Sequence, residues 1–179
     1  VSYRHASYVL KGDYGFYGDQ SDSLRITHSH FRDMGSTVIQ NLNAYSAARL
    51  TISNNTFSDY SSFTSGIWYV RSGALLRIEN NTFNDGDLGR YQVEGDTTQF
   101  YFRNNISTSR GYMEVKSTVE NSSTYQVTIE GNQLSSPDNT WEQLNLRGGD
   151  WNGNVKGSFL VKDNTMDRIA LNIENIEQL

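Results

Sequence analysis

Six segments of this chain carry an apolar-x-apolar pair followed three residues later by Asn or Ser, and five of them add a large apolar residue two positions further on. The copies are Leu24-Ile26-Ser29-Phe31, Leu50-Ile52-Asn55-Phe57, Leu76-Ile78-Asn81-Phe83, Phe100-Phe102-Asn105, Val127-Ile129-Asn132-Leu134 and Phe159-Val161-Asn164-Met166. Their first residues lie 26, 26, 24, 27 and 32 apart, a mean of 27. Repetition at such a period marks a solenoid, in which each repeat buries its apolar face only by stacking on its neighbours.

The internal period of each copy decides the kind of coil. Alternation of two places Leu76 and Ile78 on one face and Arg77 and Glu79 on the other, the pattern of a half-buried strand. A helical coil needs apolar positions three and four apart over more than ten residues. Between these strands the chain holds Gly, Asn, Ser and Asp instead, which are turn residues.

A second strand reads Tyr8-Val9-Leu10-Lys11, Thr37-Val38-Ile39-Gln40, Trp68-Tyr69-Val70-Arg71, Tyr91-Gln92-Val93-Glu94, Met113-Glu114-Val115-Lys116, Leu144-Asn145-Leu146-Arg147 and Leu171-Asn172-Ile173-Glu174. The third residue is always Leu, Ile or Val. The expectation is two buried columns: Leu24, Leu50, Leu76, Phe100, Val127, Phe159, and Leu10, Ile39, Val70, Val93, Val115, Leu146, Ile173. The Asn column falls at the corner between strands, where Asn tolerates a left-handed backbone and stacked amides bond along the column. Together these features predict an all-β, single-domain parallel β-helix over residues 1–179, of six to seven rungs, right-handed by the strong preference of parallel connections. Strand material running to both ends predicts that the chain is part of a longer protein, since solenoid ends need caps.

In this register the outward residues of the second strands form two ladders. One runs Lys11, Gln40, Arg71, Glu94, Lys116, Arg147, Glu174; beside it run Val9, Val38, Tyr69, Gln92, Glu114, Asn145, Asn172. An alternating-sign ladder that only solvates the sheet is the plainest reading, because exposed ion pairs are worth about 0–1 kcal/mol each. Lys116 and Arg147 depart from that alternation by placing like charges on adjacent rungs. A neighbouring cation makes a lysine amine a readier proton acceptor, while Arg stays charged and holds an anion. That combination suits proton abstraction beside a carboxylate, the first step of β-elimination in a uronate polymer.

The segments Met113-Glu114-Val115-Lys116-Ser117, Leu144-Asn145-Leu146-Arg147-Gly148-Gly149-Asp150 and Val161-Lys162-Asp163-Asn164-Thr165-Met166 resemble the two neighbouring rungs that carry the Lys base and the Arg in the alginate lyase and chondroitinase B family. The resemblance spans about 55 residues, Met113 to Met166. It implies a right-handed parallel β-helix that cleaves anionic polysaccharides, or an accessory domain of such an enzyme, with Lys116 and Arg147 catalytic. It also implies calcium, for which Glu94 and Glu114 are the nearest acidic ladder residues. Tyr69, Arg71, Gln92, Asn145 and the loop residue Trp141 are the corresponding candidates for binding an acidic polysaccharide. Proteins that act on such polymers are expected to be secreted, periplasmic or at the cell surface.

Composition narrows the alternatives. The formal charge of −5 and the lack of a basic run argue against nucleic acid. No stretch of eighteen apolar residues is present, so no membrane span is expected. Zero Cys removes disulfides and thiolate metal sites. Of the four Asn-x-Ser/Thr sequons, at Asn54, Asn80, Asn105 and Asn121, the first three sit at or beside the corner column and read as turn chemistry. Three functions remain: a polysaccharide lyase or a domain of one, a non-catalytic carbohydrate-binding or adhesive β-helix of surface or phage-tail type, and a structural spacer.

Overall fold

The computed structural model describes residues 2–4, 10–11, 16–17, 23–33, 37–40, 44–45, 48–64, 66–71, 73–108, 112–117, 125–136, 142–148, 157–174 and 176. These residues form a β-solenoid of stacked coils in which every paired strand is parallel to its neighbour. Sheet I collects the strands Ser23–Thr27, Arg49–Ser53, Leu75–Glu79, Gln99–Arg103, Tyr125–Glu130 and Gly157–Lys162. Sheet II, just past the corner, collects seven strands of two or three residues, among them Thr56–Phe57 and Thr82–Phe83. Sheet III collects Phe16–Tyr17, Ala44–Tyr45, Ile67–Arg71, Gly89–Glu94, Met113–Ser117, Glu142–Arg147 and Ile169–Glu174. Sheet IV has only three strands, Leu10–Lys11, Thr37–Gln40 and Ser62–Thr64.

The first apolar column is in register throughout, Leu24 against Leu50, Leu76, Phe100, Val127 and Phe159 in turn. Leu50, Leu76, Phe100, Val127 and Phe159 are all buried, and Leu24 is partly buried against the same core. Beside this column, under sheet II, Phe31, Phe57 and Phe83 stack with ring centroids 5.2 and 5.3 Å apart, and Phe63 meets two of these rings edge-on. One aromatic ring per coil matches the rung spacing, so the core is filled by side chains that repeat with the backbone.

The corner divides its work between two residues. The left-handed backbone belongs to the residue before the Asn column: His28, Asn54, Asn80, Asn104 and Asp163 all have φ of 52–57°, and Gly131 replaces them in one coil with φ 67°. The column itself serves as an amide ladder, so the expectation that Asn55 and its equivalents supply the left-handed turn is corrected. In this ladder the backbone N–H of Asn55, Asn81, Asn105 and Asn132 donates to Oδ1 of the Asn one coil on, at 2.9–3.0 Å. Each Nδ2 donates to that same oxygen and to a strand carbonyl of the preceding coil: Ile26, Ile52, Ile78 or Phe102. Asn55, Asn81, Asn105 and Asn132 are buried, so full satisfaction of these amides is what makes the corner affordable. Among the described sequon asparagines, Asn54 and Asn80 are exposed and left-handed, whereas Asn105 has no exposed surface.

Three expectations about the second strands are revised. Thr37–Gln40 pairs with Ser62–Thr64 and Leu10–Lys11 in sheet IV, while Val70 of sheet III faces Ala44. Lys11 and Gln40 therefore do not continue the ladder of Arg71, and Val38 is buried at 1% exposure. Leu171 and Ile173 lie on the last described coil and are 41% and 40% exposed, because among the described residues no further coil covers them.

The third revision is a register shift. Val70 does face Val93 and Arg71 does face Glu94. Met113, however, faces Gly89 and not Tyr91, so Glu114 faces Arg90 and Lys116 faces Gln92. A two-residue slip keeps every side chain on its face, so alternation alone does not reveal it. The slip starts at Gly89, an inward position with no side chain, which has φ 101° and Thr64 packed where a Cβ would lie. Beyond this point the expected pairing resumes, with Lys116 opposite Arg147 and Arg147 opposite Glu174.

Candidate functional site on the outer face of sheet III

Sheet III presents Lys116 and Arg147 side by side on the strands Met113–Ser117 and Glu142–Arg147, as expected. Their electrostatic surroundings differ. Arg147 NH1 lies 3.5 Å from Glu114 and its Nε 3.3 Å from Glu174, so two carboxylates share one guanidinium. Glu114 is also 3.8 Å from Arg90 Nε and accepts from Tyr112 Oη at 3.3 Å. Lys116 has no carboxylate within ion-pairing distance among the described residues, and its strand neighbours are Gln92 and Arg147.

The remaining expected residues form a second cluster. Arg71 pairs with Glu94 and its guanidinium lies 4.1 Å from the centre of the Tyr69 ring. Gln92 donates to the other Glu94 oxygen at 3.1 Å. Tyr69, Arg71, Gln92 and Glu94 are thus bound to one another, and Glu94 is buried at 8% exposure. Asn145 is also buried, and its Oδ1 accepts from Asn172 Nδ2 at 2.9 Å. Trp141 lies outside the described residues.

Glu94 and Glu114 do not fit a shared calcium ion. In the observed register Glu114 faces Arg90, four positions along the strand from Glu94, which separates the two backbones by about 13 Å. Calcium ligands must converge to oxygen distances of about 2.3–2.6 Å. Each carboxylate is instead neutralised by arginine, and among the described residues no group of three His, Cys, Asp or Glu side chains is placed to hold a metal.

A cleft of about 280 Å3 opens where sheet IV gives out and sheet III continues, lined in part by Ser62, Asp87, Arg90 and Tyr112. Arg90 covers the Tyr112 ring at 5.5 Å from its centre. Arg90 and Tyr112 were not among the sequence candidates, since aligning strands on their last apolar residue passes over them. Counting from the corner would have found them: Gly89 and Met113 each lie eight residues past Asn81 and Asn105, and they are the residues that pair.

No protein-family model, curated protein or solved structure matches this chain.

Proposed function

We propose that this chain is a carbohydrate-binding β-solenoid that holds an acidic polysaccharide along the outer face of sheet III, with Lys116 as the principal contact. The observation that carries this reading is Lys116 itself, a half-buried residue in the row Gln92, Lys116, Arg147 with no described carboxylate within ion-pairing distance. Arg147, already shared by Glu114 and Glu174, orders the surface beside it. A carboxylate of the polymer meets an unpaired cation at Lys116 and amide hydrogen-bonding groups at Gln92.

A second reading, β-elimination with Lys116 as the base, draws support from the strict Lys116 to Arg147 pairing. It is the weaker one because neutralising the uronate carboxylate needs free positive charge, and Arg147 is already compensated. Incubation with polygalacturonate or alginate separates the readings. The binding reading expects saturable binding with no growth of the ultraviolet absorbance of unsaturated products, and a loss of affinity of about tenfold in Lys116→Ala, the scale of one charged contact. Product formation by the wild type, abolished in Lys116→Ala, would establish the lyase. Undiminished binding by Lys116→Ala would overturn the binding reading, and unchanged product formation by that variant would overturn the lyase.

A further inference from the structure

We propose that Arg25, Arg49 and Arg77, grouped around Thr51 on the outer face of sheet I, form a second docking surface for polysaccharide oxyanions, independent of the Lys116 face. The three arginines are 24 and 28 residues apart in the chain, and the solenoid brings them together. Thr51 faces Arg25 on one side and Arg77 on the other, so these two flank one hydroxyl from the coils before and after it. Arg49 sits two residues along the same strand as Thr51, between Ser23 and Leu75. With strands about 4.8 Å apart and a rise of about 3.3 Å per residue, the three backbones mark a triangle with sides of roughly 8–10 Å. All three side chains are exposed.

The charge of this face is unusual for the chain. The outward positions of sheet I carry Arg25, Arg49, Arg77, Arg103 and Lys162 against Glu79 and Glu130, an excess of three positive charges on a chain whose formal charge is −5. At the far end of the sheet the charges compensate one another, with Glu130 3.4 Å from Arg103 Nε and 2.7 Å from Lys162 Nζ. At the other end neither Arg25 nor Arg77 has a carboxylate within ion-pairing distance among the described residues. The forked guanidiniums of Arg25 and Arg77, on either side of a hydroxyl, suit carboxylate or sulfate groups, which accept two parallel N–H bonds from an arginine.

A polysaccharide fits this surface better than a nucleic acid. Single-stranded nucleic acid needs aromatic faces on which bases stack. The one aromatic side chain among the described residues of this face, Tyr101, is 9% exposed, with Arg103 4.2 Å and Arg77 5.6 Å from its ring centre.

The test measures binding of the wild type, Arg25→Ala/Arg77→Ala and Lys116→Ala to heparin, to polygalacturonate and to a single-stranded oligodeoxynucleotide. Each is measured at about 0.05 M and about 0.5 M salt, where the screening length falls from about 14 Å to about 4 Å. The double variant should keep the wild-type melting temperature, since both side chains are exposed, and should lose about tenfold or more in polysaccharide affinity at low salt and little at high salt. Loss on heparin alone assigns a sulfate ester, and loss on polygalacturonate a carboxylate. Unchanged polysaccharide binding in the double variant, no wild-type binding to either polysaccharide, or tighter wild-type binding to the oligodeoxynucleotide overturns the proposal. An effect of the double variant without one of Lys116→Ala would leave this surface standing and remove the sheet III reading.

Discussion

Asn81 and Asn105 are joined by two bonds to a single oxygen: the backbone N–H and the side-chain Nδ2 of Asn81 both donate to Asn105 Oδ1, at 2.9 and 3.2 Å. The next link up is built alike, with both donors of Asn55 on Asn81 Oδ1. Replacing Asn81 by Ala would leave the Asn55 backbone N–H and the Ile52 carbonyl without these partners where the exposure is 1%, while Asn55 Nδ2 keeps its bond to the Ile26 carbonyl. Because a buried orphan costs about 1–3 kcal/mol each, partly relieved by water, the loss should be about 3 kcal/mol, read from urea denaturation. A loss under about 1 kcal/mol would mean that the ladder is replaceable by solvent.

Core truncations should separate the middle of the stack from its last described coil. Phe83 touches Phe57, Phe63 and Phe102 and has no exposed surface, so Phe83→Ala should cost about 3–5 kcal/mol. Ile173 continues the column of Val115 and Leu146 but is 40% exposed, so Ile173→Ala should cost about 1 kcal/mol or less. Thermal or chemical melts of the two variants check the contrast, and equal losses would refute the packing described.

Two buried tyrosines differ in one respect. Tyr91 Oη donates to the Leu88 carbonyl at 2.8 Å, whereas Tyr60 Oη is buried with no hydrogen-bond partner among the described residues. Tyr91→Phe should therefore cost about 1 kcal/mol, and Tyr60→Phe should be neutral or stabilising. Burial pushes both phenols well above their usual 10.0, and in Tyr60 the neighbouring Tyr91, Asp85 and Asp87 add to it. A raised folded value means that the contribution is complete below pH 10.0 and is lost as the pH rises toward the folded values. Ultraviolet titration should show these two ionising only as the fold opens, and Tyr60→Phe should soften the alkaline loss of stability.

Two parts of the architecture were legible because the chain repeats them. The Leu24 to Phe159 column and the Asn55 to Asn164 corner recur with the same chemistry in successive coils, and each repeat constrains the next. The split between Asn54 and Asn55 was not legible, since two adjacent asparagines look alike until one is seen with φ 57° and the other with its amide buried. The Lys116 to Arg147 pairing was readable from matching strands on either side. The Glu94 to Lys116 pairing failed at Gly89, where the absence of a side chain hides the start of a strand.

Sequence alone determined that the chain coils, that its sheets are parallel, and which residues of the Leu50 to Phe159 column turn inward, because a period of two and a period of about 27 are properties of the one-dimensional string. Tertiary structure alone decided which outward residues meet. Those neighbours belong to different coils, and moving a strand by two residues leaves every side chain on its face while exchanging all its partners. That freedom is why Glu114 faces Arg90, and why Arg25 and Arg77 flank Thr51 although 52 residues of chain separate them.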